Sequence, residues 1–196
     1  MQYYIVGLGN PGKEYENTRH NTGRLSLEYF RKQNNFSEWR EENKTKALVS
    51  SGNIRHDEII LIEPNNFMNN SGKSLLSFAK SLKNVGRLFV IYDELDLAIG
   101  DFKISFGKGA GGHKGIESII KTIKTKDFIR IRVGIAPKNI FGKIKKPRGA
   151  KAVLDFIMRT FTKREEAELE KVFEQISEAI KISIKDGHQI AMNKFN

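Results

Sequence analysis

The chain has 196 residues with 34 Lys and Arg against 23 Asp and Glu, a net charge of +11 at pH 7, 39% hydrophobic residues and no cysteine. That length is about one domain, and the apolar share suits a globule with one sizeable core. The absence of cysteine excludes disulfides, thiolate catalysis and Cys-based zinc sites. No apolar run approaches the ~18 residues of a membrane span. The opening Met-Gln-Tyr-Tyr-Ile-Val-Gly has no basic leader before its apolar stretch, so no signal peptide is expected and a cytoplasmic location is the reading.

Taken in order, Tyr3–Leu8 is an apolar run ended by glycine and predicts a buried strand. A polar loop over 9–20 leads to a helical pattern from about Thr22 to Lys32. Residues 45–54 and 58–63 predict a strand pair. Ser71 is expected to cap a helix with Leu75, Leu76, Ala79 and Leu82 at helical spacing. Leu88–Tyr92 predicts a second buried strand. Asp101–Phe106 alternates, with Phe102, Ile104 and Phe106 on one face and Lys103 and Ser105 on the other. A glycine loop, a helix at about 115–125, and a strand in which Arg130 and Arg132 alternate with Ile129, Ile131 and Val133 follow. Lys138–Ala150 contains Gly142, Pro147 and Gly149 and reads as a mobile basic loop. Thr162-Lys-Arg-Glu165 fits a capping box. It opens a long helix with Leu169, Val172, Phe173, Ile176 and Ile180 on one stripe, stopped at Gly187. No repeat and no linker is visible. The expectation is a single α/β domain over 1–196, a sandwich with a mixed, largely parallel twisted sheet flanked by helices.

The charge is uneven. Residues 101–151 contain fourteen Lys and Arg and three acids, Asp101, Glu117 and Asp127. A basic segment of this kind points to a polyanionic partner.

Four short segments carry chemistry: Gly-Leu-Gly-Asn-Pro-Gly (7–12) continuing to Thr-Arg-His-Asn (18–21), Phe-Met-Asn (67–69), Tyr-Asp-Glu-Leu-Asp (92–96) and Gly-Ala-Gly-Gly-His-Lys-Gly (109–115). The first matches G-x-G-x-x-G, but a dinucleotide site needs an acid ~20 residues on, at the end of a second strand. Here that distance falls inside the first expected helix, near Glu28. What remains is a tight turn presenting Asn10, in which Asn10 either serves a site or holds the turn through an Asx hydrogen bond.

His20 ends a polar loop and stands near the strand end that carries Asn10. Asp93 follows an apolar run, and sites in open α/β sheets form outside the carboxyl ends of strands. Paired with His20, it fixes the imidazole tautomer and stabilises the imidazolium. His113 competes for the catalytic role. There is no G-x-S-x-G elbow, H-E-x-x-H pair or phosphate loop. A histidine, a carboxylate and neutral amides without a nucleophile or metal suit water attacking an ester. Asn69 can donate to the developing oxyanion.

These segments, as V-G-L-G-N-P-G-x-x-Y (6–15), N-T-R-H-N (17–21), F-M-N-N-S-G (67–72), D-E-L-D-L (93–97), G-G-H-K-G (111–115) and I-R-V-G-I (131–135), resemble the bacterial-type peptidyl-tRNA hydrolases over nearly the whole chain. The resemblance implies hydrolysis of the ester between a peptide and the 3′ end of tRNA, without metal or cofactor. It implies His20 as the proton acceptor, Asp93 as its support, Asn10 as a catalytic-site amide that helps separate blocked from free aminoacyl ends, and Asn69 as a second amide of the site. Tyr15, Asn21, Phe67, Met68, Asn69, His113 and Lys114 would meet the substrate. Arg132 and Lys103 fall in the region that clamps the tRNA 5′ phosphate in the family, with Lys108 as a substitute contact; from its charge, the basic segment adds Lys143, Lys145 and Lys146 as expected phosphate contacts. The expected partner is peptidyl-tRNA, with no membrane and no obligatory protein partner, the chain acting as a monomer. The chain departs from the family pattern at Lys114, where Asn is usual, and at Ser105, Asn65-Asn66 and Ala136. The competing readings are a basic RNA-binding module without catalysis and a small-ester hydrolase unrelated to RNA.

Overall fold

The computed structural model describes residues 1–78, 86–139 and 142–196. Seven strands, β1 (Gln2–Gly7), β2 (Arg40–Glu42), β3 (Ala47–Ile54), β4 (Asp57–Pro64), β5 (Leu88–Ala98), β6 (Phe102–Phe106) and β7 (Ile129–Ala136), form one sheet in the order β2-β3-β4-β1-β5-β7-β6. The pairings β4–β1, β1–β5 and β5–β7 are parallel. Those of β2–β3, β3–β4 and β6–β7 are antiparallel. The expected mixed sheet is present, with its parallel part confined to the four central strands. Of these, β1 and the first half of β5 read as apolar runs because they are covered on both faces: Ile5, Val6, Phe89, Val90 and Ile91 are all fully buried.

Among the described residues the α-helices are α1 (Thr22–Gln33), α2 (Lys114–Ile123), α3 (Ala150–Ile157), α4 (Lys163–Asp186) and α5 (His188–Phe195). One face of the sheet packs Leu27 and Phe30 of α1 and the Leu169–Ile184 stripe of α4 against Ile5, Phe89 and Ile131. The other packs Ile116 and Ile119 of α2 and Leu75 against Val6, Val90 and Tyr92. The capping box at Thr162 and Glu165 forms, and Gly187 ends α4 at φ 92°.

Four elements depart from expectation. The segment after Phe67 is 3-10 over Met68–Phe78 and begins before Ser71, whose hydroxyl turns back to the Met68 carbonyl at 2.8 Å. Ala79 and Leu82 of the expected helix lie outside the described residues. The second buried strand runs on to Ala98, so Asp93 sits within β5 rather than after it. Two short elements, β2 and α3, carry too few buried residues to show as a pattern.

The order places β1 between β4 and β5, so the chain turns to opposite sides of β1 in its successive crossovers. This reversal opens a crevice at the carboxyl ends of these strands. Close backbone contact brings α1 over it. A Cβ on Gly23 would lie 2.3 Å from the Ile91 carbonyl oxygen and 2.5 Å from the Leu8 nitrogen. With glycine there, the first turn of α1 lies on β1 and β5, and the loop ending in His20 arrives beside Asp93.

Candidate active site

The crevice is a groove of about 980 Å³. Asn10 and His20 line it from the loops around β1 and α1. Residues 67–70 follow from β4, 93–96 from β5, 110–114 from the glycine loop, and 146–147 with α3 and Met158 form the far wall.

His20 is buried and its Nδ1 lies 2.9 and 3.1 Å from the two oxygens of Asp93. A second histidine shares the carboxylate: His113 Nε2 is 3.1 Å from Asp93 Oδ1. His113 Nδ1 accepts the Ile116 N–H at 3.4 Å and so caps α2. That acceptor role puts the His113 proton on Nε2, where it is donated to Asp93. Both His113 nitrogens are therefore engaged. His20 donates from Nδ1 and keeps the lone pair of Nε2, which has no hydrogen-bond partner among the described residues. The two rings lie 5.4 Å apart.

Burial alone would raise the Asp93 carboxyl, but the charge of His20 and the hydrogen bonds from His113 and His20 outweigh it and hold Asp93 well below the usual carboxylate range. Burial would lower His20, and the adjacent Asp93 overcomes this to raise it above the ordinary histidine value. His20, Asp93 and His113 also bring potential ligand atoms within 4.8 Å of one another. With Nδ1 of His113 accepting a main-chain N–H, its Nε2 would have to give up its proton to bind a cation. The three read as a hydrogen-bonded triad rather than a ligand set.

Asn10 is buried and its Oδ1 accepts the Met68 N–H at 2.8 Å, tying the β1 turn to the start of the 3-10 segment. This long-range bond replaces the local Asx bond that its turn position suggested. Its Nδ2 has no partner among the described residues. Asn21 was expected at the substrate, but it is fully buried and both ends of its amide are used on the main chain of Asn10. It does not line the groove. The cause is the 3-10 turn at Arg19–Asn21, which points it inward. Asn69 is exposed on the groove, and no hydrogen bond holds its amide among the described residues. Met68 is buried beneath it, while Phe67 is 57% exposed, edge-on to Tyr15 at 6.3 Å between centroids. Tyr15 touches the site through Phe67 and does not line the groove itself. Lys114 stands exposed at the rim, paired with Glu117 at 3.1 Å.

Arg132 faces Lys103 across β6–β7. It is not free: its Nε and Nη2 both lie 2.9 Å from Glu94 Oε2. Lys146 pairs with Asp96 and Lys138 with Asp101. Lys103, Lys108, Lys143 and Lys145 have no ion-pair partner among the described residues.

Two arginines beside the motifs escaped sequence reasoning. Arg19 is buried, bonds Glu165 at 2.8 and 2.9 Å and the Ile135 carbonyl at 3.0 Å, and stacks near Phe156 and Phe161 at 4.8 and 4.7 Å. It anchors the loop that carries His20. Arg130 is fully buried over Phe128 and donates to the carbonyls of Lys108 and Gly109, fixing the start of the glycine loop. Arg130 in a strand alternation gives a weak signal, because the pattern suits a solvated face equally well, and Arg19 in a polar loop reads as a surface cation.

A comparison with protein families matches residues 4–196 to the one described as Peptidyl-tRNA hydrolase. The chain belongs to the peptidyl-tRNA hydrolase family. Relatives of that name include one from Alkaliphilus oremlandii, 35% identical over 195 residues and 99% of both chains. One from Clostridium tetani is 36% identical over 195 residues, covering 99% of this chain and 97% of that one. The crystal structure of peptidyl-tRNA hydrolase from Acinetobacter baumannii superposes with a TM-score of 0.87 at 28% identity, covering 99% of this chain and 94% of the other. Membership makes the chain a carboxylic-ester hydrolase of peptidyl-tRNA. The competing readings, a basic module without catalysis and an ester hydrolase unrelated to RNA, give way to it.

Proposed function

We propose that the chain hydrolyses the ester between an N-blocked aminoacyl or peptidyl group and the 3′ end of tRNA with His20 as the general base. The carrying observation is that His20 gives Nδ1–H to Asp93 and keeps Nε2 unengaged on the groove, whereas both nitrogens of His113 are committed. A water loses a proton to Nε2 as its oxygen attacks the ester carbonyl. Asp93 supports the imidazolium, a contribution of about 10²–10⁴-fold for base catalysis as a whole. The Asn69 amide donates to the developing oxyanion. Collapse breaks the bond to the tRNA 3′ oxygen, which takes the proton back from His20.

Asn10 discriminates between substrates. Its Oδ1 is used by Met68, so it presents only N–H donors to the groove. A blocked α-amino group brings an amide carbonyl to accept them. A free α-ammonium is itself a donor and finds no partner. Phe67, Met68 and Tyr15 supply the apolar and aromatic surface for the terminal base or the peptide, with Lys114 at the rim. Lys103, Lys108 and Arg132 hold the tRNA 5′ phosphate and neighbouring phosphates. The chain works as a cytoplasmic monomer without cofactor.

The test is turnover of an N-blocked aminoacyl-tRNA by His20→Ala, with tRNA affinity measured alongside. Loss of nearly all turnover at unchanged affinity is expected. Wild-type turnover would remove His20 from the role, and loss of both affinity and turnover in step would mark it as structural.

A further inference from the structure

Asp93 accepts from two histidines, and reaction chemistry at His20 uses only one of them. His113 is held by three independent features. Its Nδ1 caps α2 through the Ile116 N–H. Its ring lies edge-on to buried Tyr92 at 4.8 Å. The α2 start is pressed onto the site because Gly115 has no Cβ, which would otherwise stand 2.6 Å from the Met68 sulfur and 2.8 Å from a Leu8 methyl. So constrained, Nε2 has one direction to donate, toward Asp93 Oδ1 at 3.1 Å. The carboxylate is 5% exposed, so no solvent shell dilutes that bond.

We propose that His113 is a positioning residue: its Nε2–H occupies one oxygen of Asp93 and thereby limits how tightly Asp93 holds the proton that His20 must take up and release. The inference rests on His20 being the base. A carboxylate that gives part of its charge to a second donor is a weaker partner for the imidazolium. Without that donor, Asp93 would retain the proton on His20 to higher pH and leave less free base near neutrality. The other charged groups around the triad have partners of their own. Glu94 is paired with Arg132, Asp96 with Lys146, Lys114 with Glu117 and Arg19 with Glu165. Tyr92 offers its ring.

Two near-isosteric substitutions separate this role from helix capping. The Asn amide oxygen reaches the place of Nδ1, so His113→Asn keeps the cap and loses the donor. The Gln amide nitrogen reaches the place of Nε2, so His113→Gln keeps the donor and loses the cap. The experiment follows the His20 ring by NMR titration, the acid limb of kcat/KM on an N-blocked aminoacyl-tRNA, and the melting temperature. For His113→Asn the expected result is a wild-type melting temperature with the His20 titration and the limb moved up by about half a pH unit, roughly a 3-fold loss of kcat/KM below the limb. For His113→Gln it is a lower melting temperature with both titrations in place. An unmoved His20 titration in His113→Asn would overturn the proposal. A His20 titration that moves while the kinetic limb stays would uphold the coupling of His113 to His20 through Asp93 and overturn the assignment of His20 as the base.

Discussion

Asn21 brackets the main chain of Asn10: its Oδ1 accepts the Asn10 N–H at 2.8 Å and its Nδ2 donates to the Asn10 carbonyl at 2.9 Å. The Asn10 side chain is thereby free to tie down Met68 and to face the groove. Asn21→Ala would leave a buried N–H and carbonyl unpaired, a cost of about 1–3 kcal/mol each before any relaxation. The expected outcome is a marked fall in melting temperature with loss of turnover. A stable but inactive Asn21→Ala would instead place Asn21 at the substrate.

Asn10→Asp and Asn10→Ala should part company. Asp keeps an acceptor for the Met68 N–H, so its melting temperature should stay near wild type while the preference for N-blocked over free aminoacyl-tRNA falls. Ala loses both and should also lose about 1–3 kcal/mol of stability. Chemical denaturation of the two variants, with turnover on both substrates, checks this.

The pH dependence follows from the triad. Asp93 raises His20, so the neutral base accumulates only above the ordinary histidine value and turnover should climb as pH rises through that raised value. Asp93→Asn removes the carboxylate charge, so the limb should move to lower pH while the plateau falls by about 10²–10⁴-fold with the loss of orientation and imidazolium support. A limb that stays in place in Asp93→Asn would break the link between the two residues.

Glu63 is buried at the end of β4 with Arg24 Nε 3.9 Å away. Burial pushes its carboxyl up to about 7 although Arg24 pulls the other way. Between its ordinary value near 4.5 and about 7, the folded chain binds more protons than the unfolded one. Stability therefore falls as pH rises through that window and levels off above it. Glu63→Gln removes the titration. Its stability relative to wild type should improve from pH 4.5 to pH 7, by about 3 kcal/mol at most. Denaturation midpoints across that range test it. Parallel curves for the two proteins would contradict the assignment.

The Arg132–Glu94 pair bears on tRNA binding. Glu94→Gln frees Arg132 for phosphate, so KM for whole tRNA should fall and the salt slope should steepen by roughly 0.7–0.9 for one added contact. Arg132→Ala and Lys103→Ala should raise KM for whole tRNA and spare a substrate reduced to the 3′ adenosine ester. Equal losses on both substrates would show that this charge serves something other than the tRNA body.

Periodicity by itself determined the core strands β1, β5 and β7, the stripe of α4 and its capping box, because apolar spacing records which face is buried. Polar residues beside glycines or at the end of an apolar run marked His20, Asp93, Asn10 and Asn69 as candidates, and charge counting marked the basic segment 101–151. Other features depended on contacts distant in sequence. Arg40-Glu41-Glu42 forms an edge strand with no buried side chain, and α3 likewise has none fully buried, so neither leaves a pattern. Asn21 and Arg19 look like surface polar residues until the 3-10 turn and α4 enclose them. His20 and His113 are equivalent as letters. Only the helix cap at Ile116, which occupies the second nitrogen of His113, leaves His20 as the ring with a free lone pair, and a capped helix end meeting a strand end is decided by the packing of α2 on the sheet.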